Sequence, residues 1–423
     1  MCSENESSST MENAVCLSHA VEDGHIPFIR PVVEHGSHCP LFGVVMAVPF
    51  VQGVATLVVG TAECCWHCKN QYFGNGGSSL FYTYVLDDSE IVFGAAEGVS
   101  KAIRAIWEET RPQAVQLVTS CIPELIGESA EKIAAMADVP VPVITVRTNH
   151  YSQSGYYSGL SGYYSSFVSL MERTEQTDDV VLLGVRYEGV ECSEIYGLLL
   201  EQGKRPVVPT NVDEMRRVPN AALVVVMDVT ALDVARKVCD RFGTSYVRLD
   251  RLCRPDDIRN AYREIDGIIG TDLVGKTADL HQRVVQKILA ARQSWERKRF
   301  VCAAPFFLPL EASLFFTDLG MEPEFVLLRE FFHGDNEWAQ ELLEQGFDPY
   351  VASFASMGEL EEKVFDLGIS LFFGPTHLQG LERSGILNVN PNRMTASFGY
   401  QIPLGILQQM NGSAGQKRGR HGA

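Results

Sequence analysis

One phrase recurs through the second half of this chain: an amphipathic run ends in glycine, and an apolar run follows within a few residues. It reads "LLLEQGKRPVV", "KVCDRFGTSYVRL", "FFTDLGMEPEFVLL", "LLEQGFDPYV" and "KVFDLGISLFF". A glycine just past a helix end takes the left-handed conformation that closes the helix, so each phrase predicts a helix, a sharp stop and a strand. The strand candidates "DVVLLGV" (179–185), "AALVVVMD" (221–228) and "ISLFFGP" (369–375) are nearly continuous in apolar residues. Strands with that pattern belong to parallel sheets covered on both faces. Helix and strand in strict alternation constrain the fold to doubly wound α/β layers.

A chain of 423 residues exceeds what one hydrophobic core serves. The pattern restarts at "SWERKRFVCAAP" after a long helix expected over about 273–297, which puts a boundary near residue 296. The earlier part has the same character: a helix around Val99, Ile103, Ile106 and Trp107, the strand "AVQLVTSC", a helix from Glu124 and the strand "VPVITV". Three Rossmann-like domains with parallel sheets are therefore expected, at 25–175, 176–295 and 296–410, the last with a closing helix. A serine-rich, acidic lead-in (1–24) and a basic tail (411–423) are expected to be disordered. "SQSGYYSGLSGYYSSF" (152–167) reads as an ordered loop leading into a helix.

The segment "LFGVVMAVPFVQGVATLVVG" (41–60) carries no charge, and its length alone would permit a membrane span. Pro49, Gln52 and Gly53 interrupt it, and no Lys or Arg closely flanks it. It is read as a buried helix to about Ala47, a turn and a buried strand at 54–59, not as a membrane segment. The N-terminus shows no basic stretch before an apolar core, so no signal peptide is expected and the cytoplasm is the expected location. A net charge of −18 argues against a nucleic-acid-binding face. Eleven cysteines, an odd number in a long chain, do not describe a secreted disulfide scaffold. No turn carries a convincing Gly-x-Gly-x-x-Gly or phosphate loop, and "GNGG" (74–77) lacks the surrounding strand and helix. The layers need another use, because fold alone does not give function.

"GTAECCWHCKN" (60–70) crowds Cys64, Cys65, His67 and Cys68 together. A disulfide, a zinc site, a redox pair and an iron–sulfur cluster are all open to such a set. Cys39 lies in "HGSHCPLFG" at the turn into the first buried helix, Cys64 just after the strand "VATLVVG", and Cys121 after the strand in "LVTSCIPELIGE". All three are read at strand-to-helix turns of one domain, on the edge where α/β sheets bind ligands. A helix start also stabilises thiolate. Three thiolates on one rim make an incomplete iron–sulfur site, with further ligands to come from a second subunit. Small buried cysteines that merely pack are the alternative.

"HCPLFG", "GTAECCWHC", "VFGAAEGV" and "VTSCIPELIGE", in this order and spacing, resemble component 1 of nitrogenase and its relatives. That family includes nitrogenase itself, its cofactor-assembly scaffolds, dark-operative protochlorophyllide reductase and less-studied nitrogenase-like reductases. Ser-Cys-x-x-Glu-x-Ile-Gly around Cys121 is the most specific match. The resemblance extends over most of the chain, to a closing "MTASFGYQIPLGILQQM" helix. It implies that Cys39, Cys64 and Cys121 supply half the ligands of an iron–sulfur cluster (P-cluster-like 8Fe–7S, or 4Fe–4S) shared at a subunit interface. Cys65 and Cys68 are then packing residues, or spare ligands; zinc held by Cys65, His67 and Cys68 would need a fourth donor.

The resemblance also bears on which subunit this is. Where the substrate-reducing subunit of nitrogenase has a cofactor-binding cysteine, this chain has Met227 and Asp228; Cys239 is a helix away and reads as core. "ILNVNPNRMTASFGY", which corresponds to the cofactor histidine region, contains no His, and His377 in "GPTHLQG" reads as structural. The implied role is the β-like subunit of a reductase, catalysing nothing by itself. It would pair with an α-like subunit in an α2β2 heterotetramer and take electrons from an ATP-dependent homodimeric iron protein. The chain is short for a nitrogenase β subunit and its "CCWHC" is unusual, which favours a methylthio-alkane reductase that cleaves carbon–sulfur bonds. A homodimeric tetrapyrrole reductase, a nitrogenase β subunit, a cofactor-maturation scaffold and a non-catalytic α/β interaction protein remain as alternatives.

Overall fold

The computed structural model describes residues 14–26, 39–74, 80–148, 155–186, 188–304, 307–328, 331, 334–353, 364–375 and 379–418, without the side chains of 379, 382 and 412–418. A two-residue strand, β1 (Val15–Cys16), and the helix α1 (Leu17–Asp23) open the described chain. This corrects the expectation of a disordered lead-in to residue 24. β1 runs antiparallel to a strand some 330 residues away, and Asp348 accepts hydrogen bonds from the Ser18 amide and hydroxyl at 3.0 and 2.8 Å.

Three sheets follow. The first comprises β2 (Val54–Gly60), β3 (Phe81–Val85), β4 (Ala114–Thr119) and β5 (Val143–Arg147), in the order β3-β2-β4-β5 and parallel throughout. The second repeats that order with β6 (Asp179–Leu183), β7 (Arg205–Val207), β8 (Leu223–Val226) and β9 (Tyr246–Arg248), as β7-β6-β8-β9. The third has β10 (Arg299–Cys302), β11 (Glu322–Leu327), β12 (Tyr350–Ala352), β13 (Leu371–Phe373) and β14 (Leu387–Val389). Its order is β1-β12-β11-β10-β13-β14, parallel except for β1. This is the Rossmann-like, doubly wound architecture expected.

All seven residues of β2 are buried. Ala55, Leu57 and Val59 pack under α5 (Ala96–Thr110) and α7 (Ala130–Ala137). Val54 and Val58 face the other way, toward α2 (Pro40–Ala47) and α8 (Tyr156–Ser166). That second core continues into Val181, Leu183, Val224 and Val226 of the second sheet, and the opposite face of the second sheet joins the core of the third. The uncharged stretch at 41–60 is thus α2, a 3-10 turn at Val48–Phe50 and β2. Among the described residues no helix is long and apolar enough to cross a membrane.

Other expectations are adjusted. The helix expected from Glu124 begins at Cys121 as α6 (Cys121–Leu125), and left-handed Gly127 separates it from α7. The long helix over 273–297 is two, Leu273–Lys276 and Ala278–Trp295. The Ser/Gly/Tyr stretch is mostly helix, α8, buried through Tyr157, Leu160, Tyr163 and Tyr164. The closing helix, Gln401–Arg418, runs into the expected tail. His377 and residues 75–77 of "GNGG" lie outside the described residues.

Candidate functional site

In the first sheet β2 and β4 lie side by side, with β3 beyond one and β5 beyond the other. The connections leaving them diverge, which opens a crevice at their carboxyl ends, where doubly wound sheets hold ligands. α3 (Ala62–Gly74) starts just after β2, and α6 just after β4. Cys64 stands in the first turn of α3, and Cys121 is the first residue of α6.

Cys39 reaches the same place from outside the sheet, not from a strand-to-helix turn as expected: among the described residues no strand of the first sheet precedes it, and it caps α2. It is the residue before α2, whose first position is Pro40, suited to a helix start because its ring pre-sets φ. Two glycines let α2 lie directly on α8. A Cβ at Gly43 would stand 2.0 Å from the Tyr156 carbonyl oxygen, and one at Gly159 would stand 1.9 Å from that of Pro40. The backbones touch, and Cys39 is fixed by that contact.

Cys39, Cys64 and Cys121 line one cleft of about 740 Å³. Burial pushes the Cys39 thiol up. The backbone N–H groups of Phe42 and Leu41 oppose that shift, and Cys121 and Cys64 add to it. The other two sulfurs thus disfavour a Cys39 thiolate, a balance that a bound cation would reverse.

Neighbouring cysteines behave differently. The buried Cys65 Sγ points back at the sheet, 3.5 Å from the Tyr84 carbonyl oxygen and 4.0 Å from that of Val58. Burial, with Cys64 second, pushes its thiol up to about 12. Cys68 is buried in the cleft wall and its thiol is also held up, chiefly by burial. His67 packs its ring against Phe42 with centroids 6.1 Å apart. No three His, Cys, Asp or Glu side chains among the described residues are grouped to hold one metal ion. A zinc ion with bonds of about 2.3 Å would need its thiolates roughly 4 Å apart. A rim of cysteines around a roomy cleft suits a polynuclear group better.

One residue at the rim carried no assigned role in the sequence. Ser120 is 2% exposed and lines the cleft, and its Oγ has no hydrogen-bond partner among the described residues. Leaving a buried hydroxyl unpaired costs about 1–3 kcal/mol. Its amide donates to the Val59 carbonyl at 3.0 Å, which seats it beside Gly60 at the strand ends. A Cβ at Gly60 would stand 2.5 Å from the Ser120 Oγ and 3.6 Å from the Cys64 Cβ. Glycine there leaves room for both. An unpaired hydroxyl among three thiols fits a group that is itself an acceptor. Its signs in the sequence were its position directly before Cys121 and its place at the head of the Ser-Cys-x-x-Glu-x-Ile-Gly motif, neither of which gives it a role.

The surroundings are braced. Glu124 accepts a hydrogen bond from Thr119 and lies 4.0 Å from Arg147, which also pairs with Glu131 at 2.7 Å. The Thr148 hydroxyl donates to the Thr119 carbonyl at 2.8 Å. Around the same edge, Trp66 is 70% exposed and Phe93, ending α4 (Asp88–Phe93), is 87% exposed; Val92 and Leu125 are exposed as well. Exposed apolar side chains in such number mark a surface that is covered in use.

The corresponding crevice of the second sheet, between β6 and β8, is filled. Arg186 pairs with Asp228 at 2.5 Å, both nearly buried, and Arg251 donates to the carbonyls of Met394 and Thr395 at 3.0 and 2.7 Å. Burial alone would raise the Asp228 carboxyl, but Arg186 and Thr230 outweigh it and hold it low. The space left beside Met227 is about 10 Å³, scarcely one water. Cys239 is half-buried on its helix.

Fold and site together define a three-sheet α/β protein with a thiol-lined cleft at the first switch point. The chain belongs to the nitrogenase component 1 type oxidoreductase family, whose model matches residues 39–407. It is 23% identical over 406 residues to the nitrogenase iron-molybdenum cofactor biosynthesis protein NifE of Bradyrhizobium diazoefficiens, covering 89% of this chain and 73% of that protein. Over 211 residues it is 26% identical to the B subunit of the light-independent protochlorophyllide reductase of Halorhodospira halophila, covering 45% of this chain and 39% of that one. A solved structure titled "Nitrogenase Cp1 at pH 6.5" superposes with a TM-score of 0.75 at 14% identity, covering 93% of this chain and 96% of the other, a likeness of fold alone.

Proposed function

We propose that this chain is the β-like subunit of a nitrogenase-like reductase and that Cys39, Cys64 and Cys121 are its ligands to an interfacial iron–sulfur cluster. The observation that carries the reading is the convergence of these three cysteines on one cleft at the first switch point. When bound, the cluster (P-cluster-like 8Fe–7S, or 4Fe–4S) stores and passes single electrons. The chain's own residues hold it by thiolate, shield it with buried Cys68 and brace the rim through Glu124 and Arg147.

Three cysteines are an incomplete set, so an α-like subunit supplies the rest, in an α2β2 assembly within the cytoplasm. The exposed Trp66 and Phe93 lie on the edge such partners would cover, including an ATP-dependent homodimeric iron protein. The filled second crevice supports a subunit without its own substrate-reducing cofactor. The favoured reaction is reductive cleavage of a methylthio-alkane, in which the carbon–sulfur bond takes up two electrons and two protons to give an alkane and a thiol. Similarity to NifE favours a second reading, a cofactor-maturation scaffold.

Anaerobic co-expression with candidate α-like subunits tests the assignment. A brown complex with iron and sulfide, releasing thiol from a methylthio-alkane when supplied with reduced iron protein and ATP, is expected. A loaded complex that releases no thiol but donates a metallocofactor to another protein would favour the scaffold.

A further inference from the structure

The geometry points to Ser120 as a hydrogen-bond donor to a cluster sulfur, a positioning and tuning residue beside the three cysteines; this rests on the reading that the cleft holds an iron–sulfur cluster. Three observations converge on the hydroxyl. It is buried, it lines the cleft with Cys39, Cys64 and Cys121, and it has no partner among the described residues. Gly60 keeps clear the space it needs, since any side chain there would press on its Oγ. Nearby hydroxyls are already engaged: Thr148 donates to the Thr119 carbonyl, and Thr119 to Glu124. Ser120 alone among these three is left without an acceptor, and sulfide or thiolate in the cleft is an acceptor.

The consequence has a sign. A donated O–H bond stabilises the more negative, reduced cluster and so raises its reduction potential, because hydrogen bonds to the sulfurs are among the determinants of that potential. Removing the hydroxyl should lower it.

The test compares the parent complex with Ser120→Ala after anaerobic loading with iron and sulfide. The expected result is unchanged iron content, a more negative midpoint potential, and loss of one exchangeable-proton coupling when the paramagnetic cluster is examined in H2O and D2O. A second measurement uses the metal-free chain. There Ser120→Ala removes an unpaired buried hydroxyl, so its melting temperature should be equal to the parent's or higher. An unchanged potential with the proton coupling retained, at full iron content, would overturn the inference and leave the cluster reading intact. A metal-free variant that melts lower would overturn it too, by showing a partner within the protein. Loss of iron from a variant of normal stability would make the hydroxyl a ligand, not a donor. A parent complex that binds no iron would remove the cluster reading, and this inference with it.

Discussion

At the scale of single residues, two kinds of cysteine share one short helix and should separate cleanly on mutation. Cys39→Ala, Cys64→Ala and Cys121→Ala are each expected to abolish most of the iron bound by the complex, measured by metal analysis after anaerobic purification. Cys65→Ala should keep its iron. Its sulfur faces the Tyr84 and Val58 carbonyls, so the change should lower stability by about 1 kcal/mol, the scale for deleting one buried heavy atom. Full iron in all three ligand variants would defeat the assignment. In the second crevice, Met227→Leu conserves volume and should cost less than about 1.5 kcal/mol, with turnover nearly intact. Arg186→Met should be far worse, about 3–5 kcal/mol in denaturant titration, because it strands the buried Asp228 carboxylate. Asp228 is held low, so its contribution is present at neutral pH and lost as pH falls through its folded value, below 3.8.

Among elements, the site depends on helices meeting at backbone distance. Gly43→Ala puts a methyl against the Tyr156 carbonyl, forcing α2 off α8 and taking Cys39 with it. A loss of about 1–3 kcal/mol is expected, together with reduced iron content; retention of both would show that α2 does not set the site. A second joint lies between the helices Pro255–Ile269 and Pro309–Asp318. Buried Glu311 of the latter accepts the Cys253 amide at 2.8 and 2.9 Å and that of Arg254 at 2.7 Å, at the start of the former. Burial, with Asp257 second, pushes its carboxyl up to about 8. A raised carboxyl adds stability that is full below its unfolded value near 4.5 and fades as pH rises through about 8. Glu311→Gln keeps an acceptor and removes the ionisation. It should flatten the pH dependence of stability across that window, and an unchanged slope would show that Glu311 does not titrate there.

How much of this could be read from the chain follows the range of the forces involved. Gly203, Gly243, Gly320, Gly346 and Gly368 all take positive φ between a helix or 3-10 turn and a strand, because a left-handed stop is a local requirement that a glycine announces. Cys64 and Cys121 were legible because strand-to-helix turns are local too, whereas Cys39 precedes a helix that lies outside the sheet, and only its helix start was legible. α8 was less so: its Ser and Gly content suggests a loop, yet Gly159 is there to meet Pro40 of another helix. β1 was invisible, since a strand of two residues exists only through its partner β12. Ser120 illustrates the limit. A missing hydrogen bond is a property of neighbours, and no spacing in a sequence records it.

For the whole molecule, the proposed role predicts that the edge bearing the thiol-lined cleft and exposed Trp66 and Phe93 is covered by a second subunit. Sedimentation of the purified protein should give a dimer or larger, and a colourless, active monomer would contradict it. The pairing of β1 with β12 has a consequence for synthesis. Residues Val15–Cys16 leave the ribosome before the other strands of the three sheets, and their partners Tyr350 and Val351 are made over 300 residues later. At ~5–20 residues per second the wait is some tens of seconds. Throughout it the first two sheets can form in order while β1 has no strand to pair with. One edge of the third sheet is thus closed by a strand made well before any of the sheet's other strands.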